Sequence, residues 1–152
     1  MTGFLLDANC ISEINHPKPD PNVVAWFNAA DELRLFLNVL VLGEIRKGPA
    51  LLAPGARRRD LERWLDAEWP RRFQGRILSI DAAIAHRWGS ITAEARSKGI
   101  TVSTSDSLLA ATALEHDLRP VTRNGKDFSG LGVTLLNPRE QPVTESPALP
   151  SP

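Results

Sequence analysis

Four acidic residues are spaced along the chain in a way that could support chemistry. Asp7 follows a short apolar run, and Glu44 lies in a segment of helical period. Asp106 opens another such segment, and Asp127 stands close to Asn124 after a further apolar run. Carboxylates that converge in one cleft raise each other's pKa unless a cation neutralises them. Oxygen ligands without His or Cys favour Mg²⁺ or Mn²⁺ over Zn²⁺, and such an ion can activate water beside a phosphodiester, so the pattern predicts a nuclease.

Each of these acids also has a simpler interpretation. An Asp that follows a strand and precedes a helix is commonly a helix cap, and Asp81 is predicted to be only that. Glu44 alone could be an ion-paired residue, and Asp127 could belong to an ordinary turn. Burying several carboxylates without partners is costly, so stability alone does not explain the four positions together.

The acids are positioned by a predicted α/β fold with a mainly parallel central sheet of about five strands. Short apolar runs alternate with longer segments of helical period, which is typical of such a sheet. Strands are predicted at residues 4–6, 33–37, 77–80, 119–122 and 133–136, the last at an edge. Helices are predicted at residues 22–30, 39–47, 57–72, 81–99 and 105–117. Because ligands gather beyond the carboxyl ends of parallel strands, Asp7 and Asn124 are expected at a functional edge.

Two of the predicted helices bear on function. The helix at residues 39–47 is expected to place Glu44 on a buried or half-buried face and to be interrupted by Gly48-Pro49, since proline removes a helix hydrogen bond. The helix at residues 105–117 carries a run of small side chains. These are Ala110, Ala111 and Ala113, which could pack on the sheet or on a second subunit.

Length and composition favour one cytoplasmic globular domain. The chain has 152 residues, of which 42% are hydrophobic and 24% charged, which is enough apolar material for a core. We predict a domain at residues 1–138 and a flexible tail rich in Pro and Ser at residues 139–152. Cys10 is the only cysteine, so an intrachain disulfide is excluded and a reducing compartment is expected. The N-terminus shows no secretory signal and no apolar run is long enough to cross a membrane.

The charge is balanced overall and unbalanced locally. The chain holds 18 basic and 18 acidic residues, which argues against wrapping duplex nucleic acid by bulk charge. Aromatic residues make up 6% of the chain and include no Tyr. Few side chains are therefore available to stack on bases. Residues 46–76 nevertheless contain nine basic and four acidic residues, a local balance of plus five. The cluster of Arg57, Arg58 and Arg59 is therefore predicted to contact an RNA backbone, with a solvated helix face as the alternative.

Four segments carry a resemblance to a known family. They read FLLDANCISE at residues 4–13, LGEIRKG at residues 42–48, SDSLLAATALEH at residues 105–116 and VTRNGKDF at residues 121–128. In order and spacing they resemble PIN-domain proteins, in particular the VapC-like and FitB-like toxins of type II toxin–antitoxin pairs. The resemblance runs from residue 4 to residue 138, nearly the whole chain less its tail.

The resemblance implies a fold, an activity and partners. The family has a three-layer α/β/α fold, acts as a Mg²⁺- or Mn²⁺-dependent endoribonuclease, forms homodimers and is bound by a cognate antitoxin in the active-site groove. Cleavage is expected to leave a 5′-phosphate and a 3′-hydroxyl. By position, Asp7 and Asp106 resemble the primary metal-binding aspartates. Glu44 resembles the glutamate that completes the first site, and Asp127 resembles the fourth acid or a residue close to it.

Two positions depart from the family's pattern. Members usually have Thr or Ser where this chain has Ala8, and some have Asp where it has Asn124. These departures support an alternative function, in which a PIN-like module with weakened catalysis binds RNA or a partner protein.

Several polar side chains near the acids are predicted to contact phosphate or water. They are Asn9, Thr104, Ser105, Thr122, Arg123 and Asn124. A hydroxyl from Thr104, Ser105 or Thr122 could replace the one that Ala8 lacks. Arg123 could contact a phosphate, and a structural ion pair is the equal alternative.

Overall fold

Four parallel strands form the centre of the fold in a computed structural model that describes residues 2–140. The strands are β1 (Gly3–Leu6), β2 (Leu35–Asn38), β3 (Ile77–Leu78) and β4 (Leu118–Val121). They lie in the order β3-β2-β1-β4, and Phe4 in β1 is paired with both Leu35 and Arg119. All four residues of β1 are buried, as expected for a parallel strand that is covered on both faces.

Six helices accompany the sheet and complete the predicted three-layer α/β/α architecture in residues 2–140. They are α1 (Ala8–Ile14), α2 (Pro21–Ala29), α3 (Val39–Ala50), α4 (Ala56–Arg72), α5 (Ala82–Ser97) and α6 (Thr104–His116). α1 packs with α2 and α3, α3 packs with α4, and α5 packs with α6, which also contacts β4. No helix in residues 2–140 has the length and apolar character that crossing a membrane requires.

The strand order creates a topological switch point between β1 and β4. The chain moves from β1 outward to β2 and β3, then returns to β4 on the other side of β1. In open α/β sheets, ligands bind beyond the carboxyl ends of the strands at such a point. Asp7 directly follows β1 and Thr122 directly follows β4, so both residues stand at the switch point.

The predicted fifth strand at residues 133–136 is reduced to one bridge, between Val121 and Leu136. Leu136 N donates to Pro120 O at 2.9 Å, and Thr122 N donates to Leu136 O at 3.0 Å. The backbone groups of alternate strand residues point to the same neighbouring strand, so the nitrogen of Pro120 points toward the segment that contains Leu136. A proline nitrogen has no hydrogen to donate. The ladder cannot continue toward residue 133, and the described sheet has four strands rather than about five.

The predicted end of the helix that carries Glu44 is wrong. α3 continues to Ala50, so Gly48-Pro49 lies inside the helix instead of interrupting it. Leu51 N donates to the carbonyls of Lys47 and Gly48, which closes the last turn around the proline. The helix therefore ends one residue after Pro49. A proline this close to the end disturbs few of the helix hydrogen bonds.

Two segments before β2 also differ from the predictions. α1 is missing from the predictions because a helix of seven residues is too short to show a clear period. Residues 32–34 form a 3₁₀ turn, so β2 begins at Leu35 rather than at residue 33.

The structure confirms one predicted helix cap and decides one alternative that the sequence left open. Asp81 caps α5, since its Oδ1 accepts a hydrogen bond from Ile84 N at 3.0 Å, as predicted. Ala110, Ala111 and Ala113 are at most 1% exposed, so the small face of α6 packs in the core of this chain. It is not available for contact with a second subunit.

The predicted tail at residues 139–152 begins within the described structure. Pro138–Glu140 forms a 3₁₀ turn. Residues 141–152 lie outside the described residues.

Candidate active site

Asp7 is a buried carboxylate that two polar side chains hold in place. Its side chain is the first after β1, and the residue is 8% exposed. The Thr122 hydroxyl donates to Asp7 Oδ2 at 2.8 Å, and Asn9 Nδ2 donates to the same oxygen at 3.3 Å. Desolvation raises the pKa of Asp7, the Thr122 hydrogen bond lowers it, and the charge of Asp106 raises it again, with a net increase.

Thr122 links this carboxylate to the loop that follows β4. Its hydroxyl oxygen also accepts from Asn9 Nδ2 at 3.1 Å and from the backbone N of Asn124 at 3.2 Å. Since a hydroxyl has one hydrogen and two lone pairs, these contacts saturate it. The hydroxyl that Ala8 lacks is therefore supplied to Asp7 from the neighbouring strand end.

Asp106 stands in the first turn of α6, where a hydroxyl fixes the backbone. Ser103 caps the helix, and its Oγ accepts from Asp106 N at 3.1 Å. Desolvation raises the pKa of Asp106, the hydrogen bond with Ser103 lowers it, and the charge of Asp127 raises it, with a net increase. The acid is half-buried, at the rim of the molecule rather than inside it.

Glu44 lies at the surface, so the prediction of a buried or half-buried position is wrong. The buried residues of α3 are Val41, Ile45 and Pro49, which are spaced four apart, and Glu44 stands beside this stripe. Desolvation nevertheless raises the pKa of Glu44, and the charges of Asp7 and Asp106 raise it further. The Ser105 hydroxyl and Lys47 oppose the increase.

The charge of one acid affects the pKa of another, which indicates that Asp7, Glu44 and Asp106 lie in the same region of the molecule. Asp7 is raised by Asp106, and Glu44 is raised by both. Asp127 belongs to the same group through its effect on Asp106, and lies in the 3₁₀ turn Gly125–Phe128. The topology therefore brings together the four acids that the sequence singled out.

These acids have no cationic partner in the described part of the chain. None of the ion pairs between residues 2 and 140 includes Asp7, Glu44, Asp106 or Asp127. Three carboxylates with raised pKa values form a donor set that suits a hard divalent ion, which prefers oxygen ligands. As placed in residues 2–140, no three His, Cys, Asp or Glu side chains could already hold a metal ion. The donor chemistry fits, and the carboxylates would have to draw together around the ion.

The other predicted contact residues lie around the acids in different settings. Asn9 is half-buried, and its Oδ1 accepts from Arg123 N at 3.4 Å. Thr104, Ser105 and Asn124 are exposed. The last three are therefore accessible to a phosphate or to water, whereas Asn9 is engaged by the protein.

Arg123 is an ion-paired residue. Its Nη1 lies 2.8 Å from Glu13 Oε2, and Arg139 Nη2 lies 2.8 Å from Glu13 Oε1. Glu13 also accepts from Asp20 N at 3.2 Å. Desolvation raises the pKa of Glu13, but the hydrogen bonds from Arg139 and Asp20 N and the charges of Arg139 and Arg123 outweigh it, so the pKa is lowered.

The predicted basic cluster is divided between paired and unpaired side chains. Arg58 Nε lies 2.9 Å from Glu62 Oε1, so the solvated-face alternative describes this residue. Arg57 and Arg59 are exposed and form no ion pair within residues 2–140. Lys47 follows Glu44 by about one turn of α3. It is exposed and also forms no ion pair within residues 2–140.

Two residues near the acids have roles that the sequence reasoning missed. The capping role of Ser103 is visible in retrospect, because Ser103 and Asp106 have the spacing of a capping box. The burial of Glu13 has no such local signal, since its partners come from distant parts of the chain. Cys10 is buried, and desolvation followed by the charge of Asp7 raises the pKa of its thiol to about 12, so it is no nucleophile.

A parallel α/β/α fold with a group of acids at its switch point is the arrangement of a PIN domain. The family model described as the PIN domain matches residues 4–133. The chain therefore belongs to the PIN-domain family.

Proteins with toxin and ribonuclease names are among its relatives. The chain is 34% identical to toxin FitB of Neisseria gonorrhoeae, over 89% of this chain and 97% of that protein. It is 32% identical to a VapC ribonuclease of Sinorhizobium fredii, over 90% of this chain and 98% of that protein. The crystal structure of FitAcB from Neisseria gonorrhoeae superimposes with a TM-score of 0.88 at 33% identity, covering 91% of this chain and 99% of that one.

Proposed function

We propose that this chain is the toxin of a toxin–antitoxin pair and acts as a Mg²⁺- or Mn²⁺-dependent endoribonuclease. The observation that carries the proposal is the group of Asp7, Glu44 and Asp106 at the carboxyl edge of the sheet, whose pKa values are all raised and which form no ion pair within residues 2–140. The names of its relatives, a toxin and a ribonuclease, support the same activity.

Each acid has a defined part in this proposal. Asp7, Glu44 and Asp106 would hold the ion, with Asp127 beside them as the fourth acid. When bound, such an ion supplies Lewis acidity to the phosphate and lowers the pKa of water. Thr122 keeps Asp7 oriented through the 2.8 Å hydrogen bond, so part of the entropy cost of ordering this ligand is met before the ion arrives. The products would carry a 5′-phosphate and a 3′-hydroxyl.

The RNA backbone would be held by the unpaired cations and by exposed polar groups. Lys47, Arg57 and Arg59 could neutralise phosphates, since they are exposed and form no ion pair within residues 2–140. Thr104 and Ser105 stand at the N-terminal end of α6, where backbone N–H groups also favour an anion. Recognition through phosphate agrees with the small number of aromatic residues.

The assembly and location are parts of the same proposal. A toxin of this kind acts in the cytoplasm, forms a homodimer and is inhibited by a cognate antitoxin protein. Copurification of the chain with the product of a neighbouring reading frame, followed by loss of RNA cleavage in the complex, would support the partner.

The activity is tested with matched Asp-to-Asn variants of the antitoxin-free protein. Asp7→Asn removes a carboxylate from the site and should lower the rate of RNA cleavage in Mn²⁺ by at least about 100-fold, because a ligand and not only its support is lost. Asp81→Asn changes a helix cap into another good cap and should cleave like the wild type. Equal cleavage by Asp7→Asn and wild type would refute the proposal. Metal binding without cleavage by the wild type would instead favour the binding module that Asn124 suggests.

A further inference from the structure

Glu13 is the one acid of α1 that the protein itself neutralises. It stands in the last turn of α1, and its side chain is 10% exposed. Arg123 engages one carboxylate oxygen, whereas Arg139 and Asp20 N engage the other. A carboxylate buried to this extent needs such partners, since an unpaired buried charge is strongly destabilising.

The Arg123 arm of this ion pair is continuous with the candidate active site. Arg123 directly follows Thr122, and its backbone N donates to Asn9 Oδ1 at 3.4 Å. Asn9 and Thr122 both donate to Asp7 Oδ2. The side chain of Arg123 is thus tied to the end of α1, and its backbone is tied to the two residues that hold Asp7.

We propose that Glu13 is a positioning residue, which holds the loop at residues 122–124 through Arg123 and so keeps the Thr122 hydroxyl on Asp7. This role deepens the proposed function and rests on it, because it assigns a support to one of the proposed metal ligands. Without this support the loop can move. The side chain of Asp7 must then become ordered when it binds a cation, and this entropy loss weakens cation binding.

The Arg139 arm provides an internal control. Arg139 binds the same carboxylate at the same 2.8 Å, and its side chain is 43% exposed, against 34% for Arg123. Its other contacts are to Asp20, which precedes α2, to Asn22 within α2, and to Asn137. The Arg139 side chain therefore anchors the segment near residue 139. Apart from Glu13, its link to the loop at residues 122–124 runs through Asn137, whose Nδ2 donates to Arg123 O at 3.5 Å. Arg139 binds Asn137 by its backbone N, so Arg139→Gln retains this link.

Glu13→Gln should break the Arg123 arm selectively. Glu13 Oε1 serves two donors, Arg139 and Asp20 N, whereas Oε2 serves one. The single oxygen of Gln is best used on the side with two donors, which leaves its NH₂ facing the Arg123 guanidinium. Two donors that face each other do not bind, so the loop loses its anchor.

The test measures Mn²⁺ affinity by calorimetry in the absence of RNA, for wild type, Glu13→Gln, Arg123→Gln and Arg139→Gln. We expect Glu13→Gln and Arg123→Gln each to weaken Mn²⁺ binding by about tenfold, the lower end for supporting partners of metal ligands. Arg139→Gln should bind Mn²⁺ like the wild type. Hydrogen exchange of the Asn124 amide, which donates to Thr122, should be faster in the first two variants only.

The charge changes separate positioning from long-range electrostatics. Glu13→Gln removes a negative charge and Arg123→Gln removes a positive one, so a purely coulombic effect would change Mn²⁺ affinity in opposite directions. Positioning predicts a loss in both. Opposite changes, or equal effects of Arg139→Gln and Arg123→Gln, would overturn the proposal.

The amide exchange keeps this inference separate from the proposed function. If the wild type binds no Mn²⁺ and cleaves no RNA, the proposed function fails, while faster exchange at Asn124 in Glu13→Gln still supports the loop anchor. If the wild type binds and cleaves but Asn124 exchanges at the wild-type rate in Glu13→Gln, the anchor is wrong and the proposed function stands.

Discussion

The two ends of α1 hold carboxylates in opposite electrostatic conditions. Asp7 precedes the helix and has no cationic partner in residues 2–140, whereas Glu13 in the last turn binds Arg123 and Arg139. The helix dipole favours a negative charge at the first end and opposes it at the second. Desolvation nevertheless raises the pKa of Asp7, while the arginines outweigh desolvation and lower that of Glu13. Burial at Asp7 and the arginine partners at Glu13 therefore shift each pKa against the direction that the helix dipole favours.

This difference indicates which acids stabilise the folded chain and which could bind an external cation. Glu13 completes its interactions inside the protein, so its charge stabilises the fold. The pKa values of Asp7, Glu44 and Asp106 are raised despite hydrogen bonds from neighbouring hydroxyls, and none of the three acids forms an ion pair within residues 2–140. A group of charges that the protein leaves unrelieved is the place where an external cation gains most.

The largest effect that this comparison predicts is on the free energy of unfolding when a divalent metal ion is added. Mn²⁺ at about 100 times its dissociation constant should stabilise the wild type by about 2.7 kcal/mol, since it binds only the folded state. Asp106→Asn removes one of the converging charges and should lose most of this gain. Thermal unfolding with and without Mn²⁺ measures both effects.

Glu32→Gln is the matched control for that measurement. Glu32 is paired with Arg72 at 2.5 Å, away from the acids, so this variant should keep the whole stabilisation by Mn²⁺. A stabilisation in Asp106→Asn as large as that in Glu32→Gln would show that the metal acts elsewhere.

The positions of the acids could be predicted from the sequence because they follow from local patterns. Asp7 ends an apolar run of strand length, and Asp106 opens a segment of helical period. Parallel strands then bring their carboxyl ends to one edge, so residues far apart in sequence meet there. The exposed position of Glu44 was not predictable in this way, because the period of α3 is compatible with more than one buried stripe.

The partners of Glu13 illustrate what local patterns leave out. Arg123 and Arg139 lie 110 and 126 positions further along the chain. Nothing near Glu13 in sequence distinguishes it from a surface acid, and α1 itself is too short to show a period. The reduction of the fifth strand to a bridge has a similar origin, since the Pro120 nitrogen matters only once the side it faces is known.

The second test compares the pH dependence of stability at the two regions without metal. The pKa of Asp106 is raised above its ordinary value of 3.8, so its contribution to stability is full below that pH and is lost as the pH rises through the folded pKa. Asp106→Asn should therefore become more stable relative to wild type as the pH rises. The pKa of Glu13 is lowered below its ordinary 4.5, so its contribution is present above that pH and is lost as the pH falls through the folded pKa.

The two variants should therefore differ from the wild type with opposite signs in urea unfolding between pH 3 and pH 7, the range that spans these two values. The loss in Glu13→Gln and the gain in Asp106→Asn should both shrink toward acid, because each difference is largest when the wild-type carboxylate is ionised. The signs at neutral pH distinguish them: a loss for Glu13→Gln and a gain for Asp106→Asn. The gain in Asp106→Asn should be at most about 1 kcal/mol, because solvent screens a half-buried group. A loss of stability in both variants at neutral pH would contradict the comparison.

The smallest test applies the same distinction to the cations. Arg58 already has Glu62 as a partner, whereas the adjacent Arg59 has none among the described residues. If unpaired charge marks function, Arg59→Gln should weaken RNA binding a few-fold and reduce the slope of log affinity against log salt by about 0.7, the value for one contact to a single strand.

Arg58→Gln should change that slope less, because a phosphate would have to compete with Glu62 for the guanidinium. Binding is measured at several salt concentrations in an Asp7→Asn background, so that cleavage does not remove the RNA. Arg58→Gln removes the same charge from the same turn of α4, so the net charge of the two proteins is equal. Equal slopes in the two variants would therefore mean that RNA responds to the basic segment as a whole, and that an unpaired arginine is no guide to the path of the backbone.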